Sequence, residues 1–244
     1  MWSRNPRGPK LILGLIPARG GSKGIPHKNL ATVGGKPLIA WTIDAALACA
    51  SLDRIVVSSD DSGIIETAVA YGAEAPFVRP AELSSDTAAM LSVVCHAVSA
   101  LRSGGFQVDT VVVLQPTSPL RTAADIRACL ALHNERGCPV VSVTRTKANP
   151  AWMFSMGDDG RLLRRAPLET QVPVRRQDLP ELVVPNGAIY VISAGDLDAD
   201  RSFFDNAAGY LMPPERSLDI DEPFDLDLVR LLVEARRMGE VSRD

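Results

Sequence analysis

Four short apolar runs, "LILGLI" (11–16), "RIVVSS" (54–59), "TVVVLQP" (110–116) and "PVVSVTR" (139–145), are separated by stretches whose apolar residues fall at helical spacing. Continuous apolar runs of this length suit strands buried on both faces, and the intervening helices supply the covering layers. The pattern predicts a Rossmann-like α/β fold, a mostly parallel sheet with helices on both faces. Pro37 suits the first turn of a helix running to about Ala50. Asp60 or Asp61 caps the next helix, with Ile64, Ile65, Ala68 and Val69 on one face and Gly72 as its stop. Further helices are expected over 87–102, ended by Gly104 and Gly105, and over 122–136.

The regularity breaks after Thr146. Residues 146–185 contain five prolines and no sustained period. "DDG" suits a hairpin turn between "AWMFSM" and "RLLRR". Such a segment is either a surface excursion or an oligomerisation arm. "GAIYVI" (187–192) and "GYLMP" (209–213) return to strand. "EPFDLDLVRLLVEARRM" (222–238) is a closing helix, expected to turn Phe224, Leu228, Leu231 and Leu232 inward. The expected organisation is one α/β domain from 1–145 and 186–244, with 146–185 inserted as an arm.

At 244 residues the chain can bury a large core. Lys and Arg number 26 against 29 Asp and Glu, a net charge of −3. Neither nucleic acid nor an acidic membrane is an expected partner, and any anion site must be local. Cys49, Cys95, Cys129 and Cys138 show neither a CxxC nor a metal-ligand spacing, which points to buried reduced thiols. "LILGLI" is too short for a signal-peptide core or a membrane span. A cytoplasmic, soluble protein is expected.

In open α/β sheets ligands bind beyond the carboxyl ends of strands, and the segment after the first strand reads "IPARGGSKGIPHKN" (16–29). Its glycines, Gly20, Gly21 and Gly24, form neither G-x-G-x-x-G nor a Walker A loop. Dinucleotide and P-loop readings therefore lose their support. What remains is a backbone able to approach a ligand closely, with Arg19, Lys23 and Lys28 near it. These are the parts of a triphosphate cradle, or of a solvated basic loop.

The phrase resembles the nucleotide-binding signature of the acylneuraminate cytidylyltransferases, the CMP-sialic acid synthetase family. The likeness continues, in the family's order, through "RPAELSSDTA" (79–88), "LQPTSPLR" (114–121), "PNGAIY" (185–190) and "SLDIDEPFDL" (217–226), nearly the whole chain. It implies a cytidylyltransferase in which CTP and a sialic-acid-like nonulosonic acid give a CMP-sugar and pyrophosphate. Ala18, Arg19, Gly20, Gly21, Ser22, Lys23, Lys28, Asn29 and Arg79 are implied at CTP. Gln115, Arg176, Asn186, Tyr190, Phe203 and Phe204 are implied at the sugar acid. Arg175 adjoins Arg176 and leaves the register there open, and Phe204 is as readily a core residue.

Asp219 and Asp221 lie two apart, and in an extended segment both would face one way, able to hold one hard cation through oxygen. The resemblance implies Mg²⁺ there, with Arg19, Lys28, Asp219 and Asp221 as the catalytic set; alternatively Asp221 caps the helix that follows. Family likeness also implies a homodimer in which the 146–185 arm completes the neighbour's active site. The chain departs from the family at Met90, where better-known members carry a serine, and at Trp152 and Met153, where sugar-binding members carry a lysine. These departures leave related acceptors open (legionaminic, pseudaminic or a shorter ulosonic acid), as well as a non-catalytic nucleotide-binding relative.

Overall fold

The computed structural model describes residues 11–22, 24–164 and 181–239. Strands β1 (Leu11–Pro17), β4 (Arg54–Ser58), β5 (Val108–Leu114), β6 (Val140–Thr146), β9 (Leu182–Ser193) and β10 (Ala208–Leu211) form one sheet in the order β10-β6-β9-β5-β1-β4. Neighbouring pairs run parallel except β9, which is antiparallel to both β5 and β6. The expected mostly parallel sheet is present.

Alternation along the central strands sends side chains into two cores. Leu13, Leu15, Val111, Val113 and Ile192 meet α3 (Met90–Ser103) through Leu91, Val94, Val98 and Leu101. Ile16, Val112, Leu114, Ile189 and Val191 meet α1 (Leu38–Leu47), α2 (Ser62–Ala70) and α4 (Ala123–Arg136). Both faces are covered, which is why these strands read as unbroken apolar runs. A third cluster packs α5 (Pro223–Met238) against Val33 of the small hairpin β2 (Thr32–Val33) and β3 (Lys36–Pro37).

Several expected details change. Helix α3 starts at Met90 rather than 87, because residues 84–89 run through bends and turns over the site. In α2, Ile64 and Ala68 are buried but Val69 is exposed, while Asp61 caps as expected, accepting from Ile64 N at 2.9 Å. On α5 the inward residues are Leu226, Val229 and Val233, with Phe224 and Leu231 exposed. Glu222 holds the N-cap, and contact with Val33 and Ile220 sets the helix's phase, which the leucine count alone misassigned. Cys49 and Cys129 are buried, whereas Cys95 and Cys138 are only half-buried; all four are free.

The expected hairpin is present, β7 (Phe154–Met156) pairing with β8 (Leu162–Arg164). The sheet reaches into the segment expected as the insert, since Leu182–Pro185 of β9 pair with Val143–Thr146. No helix among the described residues is long and apolar enough to cross a membrane.

Candidate active site

Chain order reverses around β1, which has β4 on one side and β5 on the other. The carboxyl ends of β1 and β5 therefore open a crevice at the topological switch point. A cleft of about 250 Å³ lies there, lined by Arg19, Gly21, Ser22, Lys28, Asn29, Arg79, Gln115 and Thr117, with Asp86 and Met90 at its side. Segments separated by nearly a hundred residues in sequence meet in it.

The glycine loop is shaped mainly by the protein itself. Gly20 donates its N–H to Asp60 Oδ1 at 3.0 Å, and a Cβ on it would stand 2.8 Å from Asp61 Oδ2. A Cβ on Gly24 would strike the carbonyl of Asp221. Two of the three glycines thus admit neighbouring segments, and Gly21 alone has open space where a side chain would be. Ala18 is core, its N–H held by Ser58 O at 2.9 Å. Asn29 ties the loop to itself through Nδ2 to Arg19 O at 3.0 Å. Lys23 lies outside the described residues.

Charge in the cleft is strongly local. Arg19 pairs with Asp86 at 2.7 Å. Arg79 is 5% exposed, its Nη2 lying 3.7 Å from Asp60 Oδ1, and its buried Nε and Nη2 have no hydrogen-bond partner. Burial pushes the Arg79 pKa down, Asp60 opposes this, and the charge of Arg19 adds to it. Two guanidinium groups held this way present a site prepared for an anion. Lys28 Nζ donates to Ile220 O at 2.6 Å and lies 3.5 Å from Asp221 Oδ1, so the loop is bridged to the acidic segment.

Asp219 is partly buried and accepts from Thr117, while its Oδ1 is buried without a partner. Burial raises its pKa, Thr117 works against that, and the charge of Asp221 raises it further. Asp221 is exposed and does not cap α5; the carboxylate of Asp225 instead takes the N–H groups of Asp221 and Glu222 at 3.0 and 2.8 Å. The capping alternative for Asp221 falls away. An orphaned carboxylate oxygen beside a second carboxylate has the donor chemistry that suits a hard divalent cation. No group of three or more His, Cys, Asp or Glu converges among the described residues, so protein alone does not complete such a site.

"PNGAIY" forms a bulge in β9. Register jumps where Val141 faces Tyr190 and Val143 faces Pro185. Ser142 Oγ donates to Asn186 Oδ1 at 2.6 Å and receives Ile189 N–H at 2.8 Å. Asn186 Nδ2 donates to Ser217 Oγ at 2.9 Å. The Asn186 side chain is thus spent inside the fold and acts on any pocket through the backbone it fixes. At the crest Gly187 has φ +72°, and a Cβ there would lie 3.0 Å from Asp219 Oδ2. Bulges commonly redirect a strand next to a site, and this one brings β9 against Gln115 and Asp219.

Tyr190 is buried with its ring 5.0 Å from that of Phe203, which is core, and 6.5 Å from that of Phe204, which is exposed. Burial pushes the Tyr190 phenol up, and Asp219 adds to this. Arg176 lies outside the described residues. Asp60, Asp86 and Thr117 went unnoticed as site residues in the sequence. Asp60 follows the second long strand, so the strand-end rule could have found it. Arg121 is buried and donates to Ala188 O at 3.1 Å, Thr42 Oγ1 at 2.8 Å and the carbonyl of Gln115, which locks the Gln115 turn to β9 and α1.

Residues 13–152 match the family described as Cytidylyltransferase. The chain is 36% identical over 225 residues to the CMP-N,N'-diacetyllegionaminic acid synthase of Legionella pneumophila, covering 91% of this chain and 96% of that protein. It is 34% identical over 234 residues to the N-acylneuraminate cytidylyltransferase of Escherichia coli, covering 95% of this chain and 54% of that protein. Among solved structures, a CMP:2-keto-3-deoxy-manno-octonic acid synthetase complexed with CTP shares the fold at a TM-score of 0.71 and 18% identity, covering 93% of this chain and all of that one.

Proposed function

The chain belongs to the cytidylyltransferase family and is a nucleotidyltransferase, and we propose that it transfers CMP from CTP to a nonulosonic acid. The anomeric hydroxyl of the acid attacks the α-phosphorus of CTP and gives up its proton to water, the bond from the α-phosphorus to the oxygen bridging to the β-phosphate breaks, and pyrophosphate leaves. The observation that carries this reading is the pair Arg19 and Arg79 in the cleft, the latter buried with two nitrogens that make no hydrogen bond. Phosphate oxygens would satisfy both groups.

Arg19 leaves Asp86 for the triphosphate, Gly21 and Ser22 bring backbone N–H groups close, and Lys28 holds the loop against the Ile220–Asp221 backbone. Gln115, fixed by Arg121, orients the acid, with Tyr190 and Phe204 beside it. Asp219 and Asp221 would hold Mg²⁺, which when bound neutralises charge that develops on the transferred phosphate and the leaving group. The chemistry is mainly positioning and charge neutralisation. Replacing Arg79 by alanine should raise the KM for CTP about tenfold or more, the worth of a charged hydrogen bond. Steady-state kinetics checks this; an unchanged KM would remove Arg79 from the nucleotide site.

Likeness to the Legionella synthase, at 36% identity, supports a legionaminic-type acceptor. Side-by-side pyrophosphate release with legionaminic, pseudaminic and N-acetylneuraminic acids identifies the substrate. A clear preference for a shorter ulosonic acid would overturn the nonulosonic assignment.

The working form is proposed to be a homodimer joined through the hairpin β7–β8. Met156, Leu162 and Leu163 are 75%, 67% and 57% exposed, and Val183 and Val184 of β9 are exposed as well. Large apolar side chains left this exposed on one short hairpin suit an interface. Leu163→Asp should shift sedimentation from dimer to monomer; a wild-type chain sedimenting as an active monomer sinks the assignment.

A further inference from the structure

A second cavity, of about 340 Å³, shares no lining residue with the cleft and lies between α1, the 119–122 turn and α5. Its apolar wall is Trp41, Leu120 and Val233, the last two 3% and 2% exposed. The Trp41 indole N–H is taken by Val33 O at 3.0 Å, Lys36 Nζ stands 3.9 Å from the ring centre, and the partly buried ring also borders the cavity. The charged wall is Arg121, Arg236 and Arg237, and no carboxylate among the described residues lines the cavity.

Arg121 has donors on all three guanidinium nitrogens engaged and contributes field rather than a free donor. Arg236 gives Nη2 to Glu215 O at 2.9 Å, while its Nε is buried and unpartnered. Neither Arg236 nor Arg237 forms an ion pair with the described residues. Basic residues in the last turn of α5 answer the helix dipole, but that leaves a buried, unpaired guanidinium nitrogen unexplained. Burial and the charge of Arg216 both push the Arg236 pKa down, only partly offset by Glu215. A guanidinium that lacks a counter-ion beside an apolar wall is a recognition surface for an amphipathic anion.

We infer that this cavity binds a small organic anion, its phosphate or carboxylate head on Arg236 and Arg237 and its apolar body against Trp41, Leu120 and Val233. The site backs onto the turn that carries Gln115 but is separate from the substrate cleft.

The test is a titration of the full chain with phenyl phosphate, in saturating CTP, following the Trp41 indole N–H resonance by NMR. A saturable shift is expected, weakened about tenfold or more in Arg236→Met, with turnover of that variant unchanged. Should Arg236→Met not fold, Arg237→Met carries the same comparison. Benzoate in place of phenyl phosphate distinguishes a carboxylic acid from a phosphate ester. Absence of a saturable shift in saturating CTP, or unchanged affinity in the arginine variants, overturns the site. Inorganic phosphate binding as tightly as either aromatic probe overturns the apolar half of the assignment.

Discussion

Replacing Asp219 by asparagine is expected to cut CTP turnover by about a hundredfold or more, the cost of removing one preorganised charge from a transfer site, while leaving the metal-free protein at least as stable as the parent. Both halves follow from one observation. Asp219 has a buried oxygen without a partner, its carboxylate is crowded by Asp221, and burial raises its pKa. In the absence of a cation this is an ionised group in an environment that disfavours it, and such groups destabilise the fold they sit in. Asparagine keeps the volume and removes the charge. Steady-state pyrophosphate release and thermal denaturation in a chelator read the two effects. Retained turnover would remove Asp219 from the chemistry; a steep loss of Tm would make it structural. The expected split, activity lost and stability kept, is the signature of a group held under strain for function.

Much of the site could be read in the sequence because its parts sit at strand ends. "IPARGGSKGIPHKN" follows β1, Gln115 follows β5, and the spacing of the glycines correctly excluded the two commonest nucleotide loops. What the loop's glycines do was less legible. Gly20, implied at the nucleotide, makes room for protein at Asp61, as Gly24 does at the Asp221 backbone. A sequence records that a side chain is missing but not which neighbour needs the space. The same limit applies to Asn186, read as a pocket residue but consumed by Ser142, Ala188 and Ser217 in a bulge. A bulge depends on the register of two strands distant in sequence, and no local pattern encodes that. The phase of α5 was misassigned for a related reason: "LDLVRLLVEARRM" offers apolar residues on more than one face, and only contact with Val33 and Ile220 selects Leu226, Val229 and Val233.

The largest loss of stability is expected at Asp125, a residue with no part in the chemistry. Its side chain is fully buried and accepts from Arg216 through two nitrogens, at 2.9 and 3.0 Å, from the Tyr210 hydroxyl at 3.2 Å and from Thr122 N and Oγ1 at 2.9 and 2.8 Å. The carboxylate closes the capping box of α4 and ties that helix to β10 and to the 214–216 turn. Asp125→Ala leaves Arg216 and Tyr210 facing a cavity without a counter-charge, at a cost of about 3 kcal/mol. For a chain of this length that lowers Tm by roughly 6–12 °C. Burial alone would raise the Asp125 pKa, but Arg216 and Thr122 outweigh it and hold the carboxyl below its ordinary value. A group depressed in the folded state contributes its stability fully above the unfolded aspartate pKa of about 3.9 and loses it as pH falls through the lower folded value. The gap in unfolding free energy between the parent and Asp125→Asn should therefore be constant near neutral pH and close only below about pH 4. Denaturant titrations across that range decide it; a gap that closes between pH 5 and 7 would mean that Asp125 is not held ionised by Arg216. Because Arg216 also raises the electrostatic cost of Arg236, unpairing it should leave more positive charge at the second cavity, and phenyl phosphate should then bind there more tightly in Asp125→Asn than in the parent.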